Sequence, residues 1–320
     1  MINKKGKGHL AMLFANMAWG LMAPLSKSIM MFGAIGYLSL VSFRLAGAAI
    51  AFWIVSFFLK KEKVPPRDLA LIFVASLFAI VFNQAIFITG VSMTSPINAS
   101  IVTTFLPIII MVISAFYLKE PITFKKLLGV IIGGGGAILI IVSSTQLDIV
   151  DSASNKNLMG ILLVFLAQTS YAIYFVFFKN FVEKYSPVTL MKWMFLFASM
   201  VYLPFGQSEF MHIDYSIIPL SVYMNIAFVV LGSTFFTYLM VPIGQKNLRP
   251  TVASMYNNVQ PIVATIAAAI MGIDTFGVLK GIAIALVFMG VFIVNRSKSK
   301  ETKFHEIQSG KRTHKNKFSD

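Results

Sequence analysis

Two sets of polar and aromatic side chains, each set in an otherwise apolar stretch, are the residues best suited to do chemistry in this chain. One comprises Asn16, Trp19, Gly20, Ala23 and Lys27, and the other Gln168, Tyr171, Ala172, Phe175 and Lys179. Steps of three and four residues put each set on one side of a helix. An amide one turn from an aromatic ring offers hydrogen bonds beside an apolar wall, which suits a small amphipathic molecule. Amides also bond helix to helix inside apolar bundles, so packing is the competing reading of both faces. Asn83, Gln84, Asn98, Thr103, Thr237, Tyr238, Tyr256, Asn257 and Gln260 are further polar residues within apolar runs. Asn257 and Gln260 share a stripe with Ala253 and Ala264, where small neighbours leave room for a ligand or for another helix. Arg44 has no acidic residue in any apolar run to pair with. Either it attracts an anionic group such as a carboxylate, or its stem snorkels to an interface. Pro107 and Pro261 fall well inside their apolar runs, where a missing backbone donor kinks a helix and frees a carbonyl, as a hinge would require.

The groups needed for acid–base, metal or nucleophilic chemistry lie elsewhere. There is no cysteine, and the four histidines, His9, His212, His305 and His314, are terminal or in loops. None of the twelve carboxylates falls within the centre of an apolar run. A buried proton relay, a hydrolytic site and a metal centre therefore have no residues to stand on. Gly133-Gly134-Gly135-Gly136 lacks the Lys-Ser/Thr that follows in a phosphate loop, and reads as close helix packing. No catalytic residue, no metal and no cofactor is expected. Glu120 and Asp274 belong to short turns, where capping the following helix is the expected role.

These side chains are positioned by elements that composition makes plain. Of 320 residues, 57% are hydrophobic and 12% charged, against about 25% charged in a soluble domain. Apolar runs repeatedly reach the roughly 20 residues that cross a bilayer. The expected class is an all-α integral membrane protein of about ten transmembrane helices, near 9–31, 36–59, 68–90, 96–117, 124–143, 158–179, 187–206, 217–242, 250–271 and 277–295. Most of the 27 lysines and arginines fall in alternate loops and in the tail, which puts both termini in the cytoplasm. The net charge of +15 is thus loop and tail charge facing lipid headgroups, with no nucleic acid implied. Residues 1–8 form a cytoplasmic N-terminus, 144–157 an extracytoplasmic linker, and 296–320 a basic disordered cytoplasmic tail.

The chain also repeats itself. Ser95 to Pro107 overlies Arg249 to Pro261 at an offset of 154 residues, with Pro96, Ala99, Ser100 and Pro107 on identical partners. Asn16, Trp19 and Lys27 overlie Gln168, Tyr171 and Lys179 at an offset of 152. Units 9–143 and 158–295 hold five spans each, an odd number, so the second is inverted relative to the first. Inverted repeats are a common construction of secondary transporters, with the solute site near the midplane.

With Ala18-Trp19-Gly20, Arg44, Ser95 to Pro107 and Leu118-Lys119-Glu120-Pro121, the sequence resembles the EamA family of the drug/metabolite transporter superfamily over residues 9 to 295. The resemblance implies a central cavity lined mainly by helices 1 to 4 and 6 to 9, with helices 5 and 10 peripheral. It also implies export of amino acids or related metabolites, or, as the alternative, efflux of organic cations. The second half departs from the pattern at Gly272-Ile273-Asp274 and has no arginine opposite Arg44. A cell inner-membrane carrier moving a solute by alternating access, as facilitator or exchanger, is the expected function. A non-transport membrane protein is the remaining class. The expected partners are a small-molecule solute and the lipid bilayer, and a homodimer is an allowed assembly.

Overall fold

Apolar runs in hydrocarbon must satisfy their backbone groups internally, so they become helices. The computed structural model describes residues 4–117, 124–144, 152–182, 184–248, 253, 255–273 and 277–295. The long helices of the first half are α1 (Lys4–Met31), α2 (Tyr37–Phe57), α3 (Pro66–Met93), α4 (Pro96–Tyr117) and α5 (Phe124–Ser144). The second half supplies α6 (Ser152–Phe177), α7 (Pro187–Met211), α8 (Leu220–Asn247), α9 (Val259–Ile270) and α10 (Val278–Asn295). Helices α2 to α4 and α6 to α8 are long and apolar enough to cross a membrane, and α5, α9 and α10 carry shorter apolar stretches. With α1 this makes the ten-helix membrane fold of two inverted five-helix repeats.

Several helices overrun the apolar run that marks them. α1 starts at Lys4 rather than residue 9, and α6 at Ser152 rather than 158. α7 passes Pro204 to reach Met211, and α8 passes Pro242 to reach Asn247. Hydropathy marks where hydrocarbon ends, whereas the backbone ladder continues into water until a cap stops it. The starts are conventional: Ser95 and Ser186 each precede a first-turn proline, and their hydroxyls accept from the Asn98 and Thr189 backbone N–H at 3.2 Å. Gly33, at φ 91°, closes the turn after α1.

Four interruptions were not legible from hydropathy. α3 is π-helical over Leu77–Phe82 and α8 over Phe228–Phe236, so the 154-residue offset superposes the first on the end of the second. Carbonyls tilted out of the α3 segment accept side-chain donors: Ser170 Oγ donates to Phe78 O at 2.8 Å, and Tyr238 to Ala79 O at 3.1 Å. α4 breaks after Thr103, and Leu106–Tyr117 resumes with Pro107 as its second residue. α9 follows a 3₁₀ turn at Met255–Asn258, with Pro261 as its third residue. Each proline thus stands directly at a break in the ladder rather than inside a continuous helix.

Close crossings depend on small residues. A Cβ on Gly290 of α10 would stand 2.5 Å from the Gly129 carbonyl and from the Gly133 nitrogen of α5. The glycine run of α5 is therefore a packing surface, at Gly133 though not at Gly134 or Gly135. α5 and α10 pair with each other at the periphery, while α1 packs on α8 and α9, α2 on α7, and α3 on α6. Outward faces are apolar, with Phe14, Ile50, Ile266 and Met289 more than half exposed, as lipid contact requires.

Candidate functional site

A small, partly open cavity lies among the central helices. α1 contributes Trp19 and Met22, α2 Arg44, α3 Asn83, Gln84 and Phe87, and α4 Thr103. From the second half come Gln168 and Tyr171 of α6, Tyr238 of α8, Asn257 of the 3₁₀ turn and Gln260 of α9. Among the described residues α5 and α10 contribute nothing to this lining. The two halves meet here with different chemistry at equivalent positions: Trp19 faces its counterpart Tyr171, and Gln84 of the first half corresponds to Tyr238 of the second. The rings of Trp19 and Tyr171 meet edge to face at 6.0 Å, and those of Trp19 and Tyr238 at 5.8 Å.

Some lining groups are already engaged. Asn83 Nδ2 donates to Ala167 O at 2.9 Å, Thr103 Oγ1 to Ser100 O at 2.6 Å, and Gln260 Nε2 to Asn16 Oδ1 at 2.7 Å. Others have no hydrogen-bond partner although buried: both amide atoms of Gln84, the Tyr171 hydroxyl and Arg44 Nη1. Arg44 is 1% exposed, with Nε donating to Thr234 Oγ1 at 3.0 Å. Its guanidinium is enclosed by protein, which decides against snorkelling to an interface.

Four other polar residues singled out by sequence stand off the cavity. Asn16 is fully buried behind Gln260, its own amide donating to Met12 O at 2.8 Å. Asn98 lies one turn from Thr94, and its backbone N–H is taken by the Ser95 cap. Thr237 bonds to Ser233 O and Thr234 O within α8. Tyr256 shares a 2.7 Å hydrogen bond with His9 Nδ1. Met22 and Phe87 were missed, though each sits three or four residues from a polar lining residue on the same helix face. Thr234 gave no signal, because its position follows from the π-helical turn of α8. Glu120 and Asp274 lie outside the described residues.

Polar ties elsewhere close the ends of the bundle. At the lysine-rich end, Asp68 accepts from Lys184 Nζ and from the Tyr185 hydroxyl, and Lys246 Nζ donates to Tyr185 O. The hydrogen bond to Asp68 raises Lys184 above its usual range. Glu62 accepts from the Ser186 backbone N–H at 3.0 Å. At the other end Lys27 Nζ donates to the carbonyls of Val91, Ser92 and Thr94 at the C-terminus of α3, where the helix dipole favours a cation. Glu209 accepts from Ser39 N at 2.9 Å in the first turn of α2. Among the described residues no group of His, Cys, Asp and Glu could hold a metal ion.

Comparison with known proteins agrees with this architecture. The model of the EamA-like transporter family matches residues 6–142 and again 158–296. An uncharacterized transporter of Archaeoglobus fulgidus is 26% identical over 261 residues, 82% of this chain and 89% of that protein. The uncharacterized transporter YyaM of Bacillus subtilis is 24% identical over 80% of this chain and 85% of its own length. A solved crystal structure superposes with a TM-score of 0.63 at 16% identity, covering 91% of this chain and 97% of the other, a likeness of fold alone. A family match to both five-helix units, on a fold whose halves meet at a polar cavity, makes this chain a member of the EamA-like transporter family and a multi-pass membrane transporter.

Proposed function

We propose that the chain carries a small amphipathic metabolite, of which amino acids are the class suggested by the family, through the central cavity by alternating access. The observation that carries the reading is the set of unpartnered buried atoms at Gln84, Tyr171 and Arg44 around one cavity at the junction of the halves. A buried polar atom without a partner costs about 1–3 kcal/mol, and a bound solute that completes these bonds recovers that cost. Rocking of one repeat against the other exposes the site to each side in turn, with the ladder breaks at Pro107 and Pro261 as hinges. Among the described residues no carboxylate or histidine lines the cavity. The carrier therefore works as a facilitator or exchanger, and export follows the solute gradient. The positive loops favour a cell inner-membrane location with both termini cytoplasmic.

Purified protein in liposomes tests this. Counterflow of a preloaded solute with no pH gradient is expected, and Trp19→Ala or Tyr171→Ala abolishes it in folded protein. Strict dependence on an imposed proton gradient would overturn the mechanism, and no flux of any amino acid, carboxylate, nucleoside or organic cation would overturn the transport site. Labelling of residue 5 or 300 from outside intact cells would reverse the orientation.

A further inference from the structure

Arg44 is the single charged residue among the described residues lining the cavity, and we propose that its solute is an organic monoanion: a carboxylate with a planar or apolar body and no compensating ammonium. The proposal rests on the carrier reading above: it keeps the small amphipathic solute and the alternating-access site, and replaces the amino-acid class with carboxylates that lack the ammonium. A guanidinium does not lose its proton in proteins, so its charge has to be matched by something. Thr234 matches none of it: its hydroxyl accepts from Nε and passes its own proton to Val229 O at 2.8 Å. The carboxylates among the described residues are engaged elsewhere. Glu62 is held by Ser186, Asp68 by Lys184 and Tyr185, Glu209 by Ser39 N, and Asp214 by Ser216. An isolated buried charge is among the costliest groups a fold can hold. A second side chain points to the same occupant: Gln84 is 2% exposed, and its amide, with the Tyr238 hydroxyl close by, makes no hydrogen bond of good geometry.

Together Arg44 Nη1, Gln84 Nε2 and the Tyr171 hydroxyl are three unused donors around one cavity, the complement of a carboxylate's two acceptor oxygens. Gln84 Oε1 is left for one neutral donor on the solute. One positive charge matches one negative charge, whereas a phosphate monoester would bring about two. An ammonium group would find no acid and would be repelled by Arg44. The edge-to-face rings of Trp19, Tyr171 and Tyr238 supply a wall for a flat or apolar body.

The test uses the full chain in lipid nanodiscs and four probes that share one body: 3-phenylpropionate, its amide, phenylalanine and phenethylamine. Binding is read by calorimetry and by thermal stabilisation, and acetate, benzoate and indole-3-acetate extend the carboxylate series. The carboxylate is expected to bind about tenfold to a hundredfold more tightly than the amide. Arg44→Gln removes the difference, Arg44→Lys keeps part of it, and Gln84→Met weakens the carboxylate should Arg44→Gln fail to fold. Equal binding of acid and amide, preference for phenylalanine or phenethylamine, or no binding of any carboxylate overturns the anion class. The carrier reading survives those results wherever liposomes still show counterflow of another solute. Silence of all solutes in both binding and flux overturns both.

Discussion

The cavity and the lysine-rich end of the bundle are built from similar polar residues and treat them in opposite ways. At the end, Asp68 takes two donors, Tyr185 both donates and accepts, and Glu62 caps the chain at Ser186. In the cavity, Arg44, Gln84 and Tyr171 keep donors with no acceptor. Paired groups hold helices together and gain nothing from a solute. Unpaired buried groups cost stability until a solute completes them, which is the arrangement expected where binding rather than folding sets the residue type. The contrast also separates two kinds of charged residue in a membrane helix. Asp68 lies in the first turn of α3 beside water-facing loops, whereas Arg44 is sealed among helices.

Three substitutions test the contrast. The largest effect on solute affinity is expected for Gln84→Met, which removes both unpartnered amide atoms at similar volume. Affinity falls about tenfold and the thermal midpoint rises, because a desolvation cost of about 1–3 kcal/mol disappears. A lower midpoint would mean that the amide is bonded in the resting protein and that the contrast is false. Asp68→Asn is expected to do the reverse. It lowers the midpoint by loosening Lys184 and Tyr185 from α3, and it shifts affinity by less than about 0.5 kcal/mol, since Asp68 stands roughly 22 Å along the helix from Asn83. Loss of binding in that variant would tie the end network to the site. The smallest effect on affinity is expected for Gly290→Val. Its side chain would press on the backbone of Gly129 and Gly133, so the midpoint falls while binding stays unchanged, as befits a peripheral helix pair. Calorimetric titration and a melting curve on each variant check all three.

How much of this could be read before folding follows from the range of the physics involved. Spans, their number and the inverted repeat depend on hydropathy and on spacing along one chain. Helix spacing picked out Trp19 of α1 and Gln168 and Tyr171 of α6, which line this cavity, because residues three and four apart share a helix side whatever the helix later meets. Asn16 shows where that logic stops. It lies on the correct face, yet the approach of α9 places Gln260 against it and keeps it behind the cavity wall. The π-helical turns of α3 and α8 escaped notice for a related reason. Carbonyls of the α3 turn are released toward Ser170 and Tyr238, donors on other helices that no local pattern announces.

Sequence by itself determined the membrane class, the ten spans and the duplication, since each follows from side-chain type and local period. Only the tertiary structure decided that Arg44 is enclosed rather than reaching an interface, and which polar atoms are left without partners. Both depend on how closely helices distant in sequence approach one another, and a buried atom becomes costly only after its neighbours have excluded water without offering a bond.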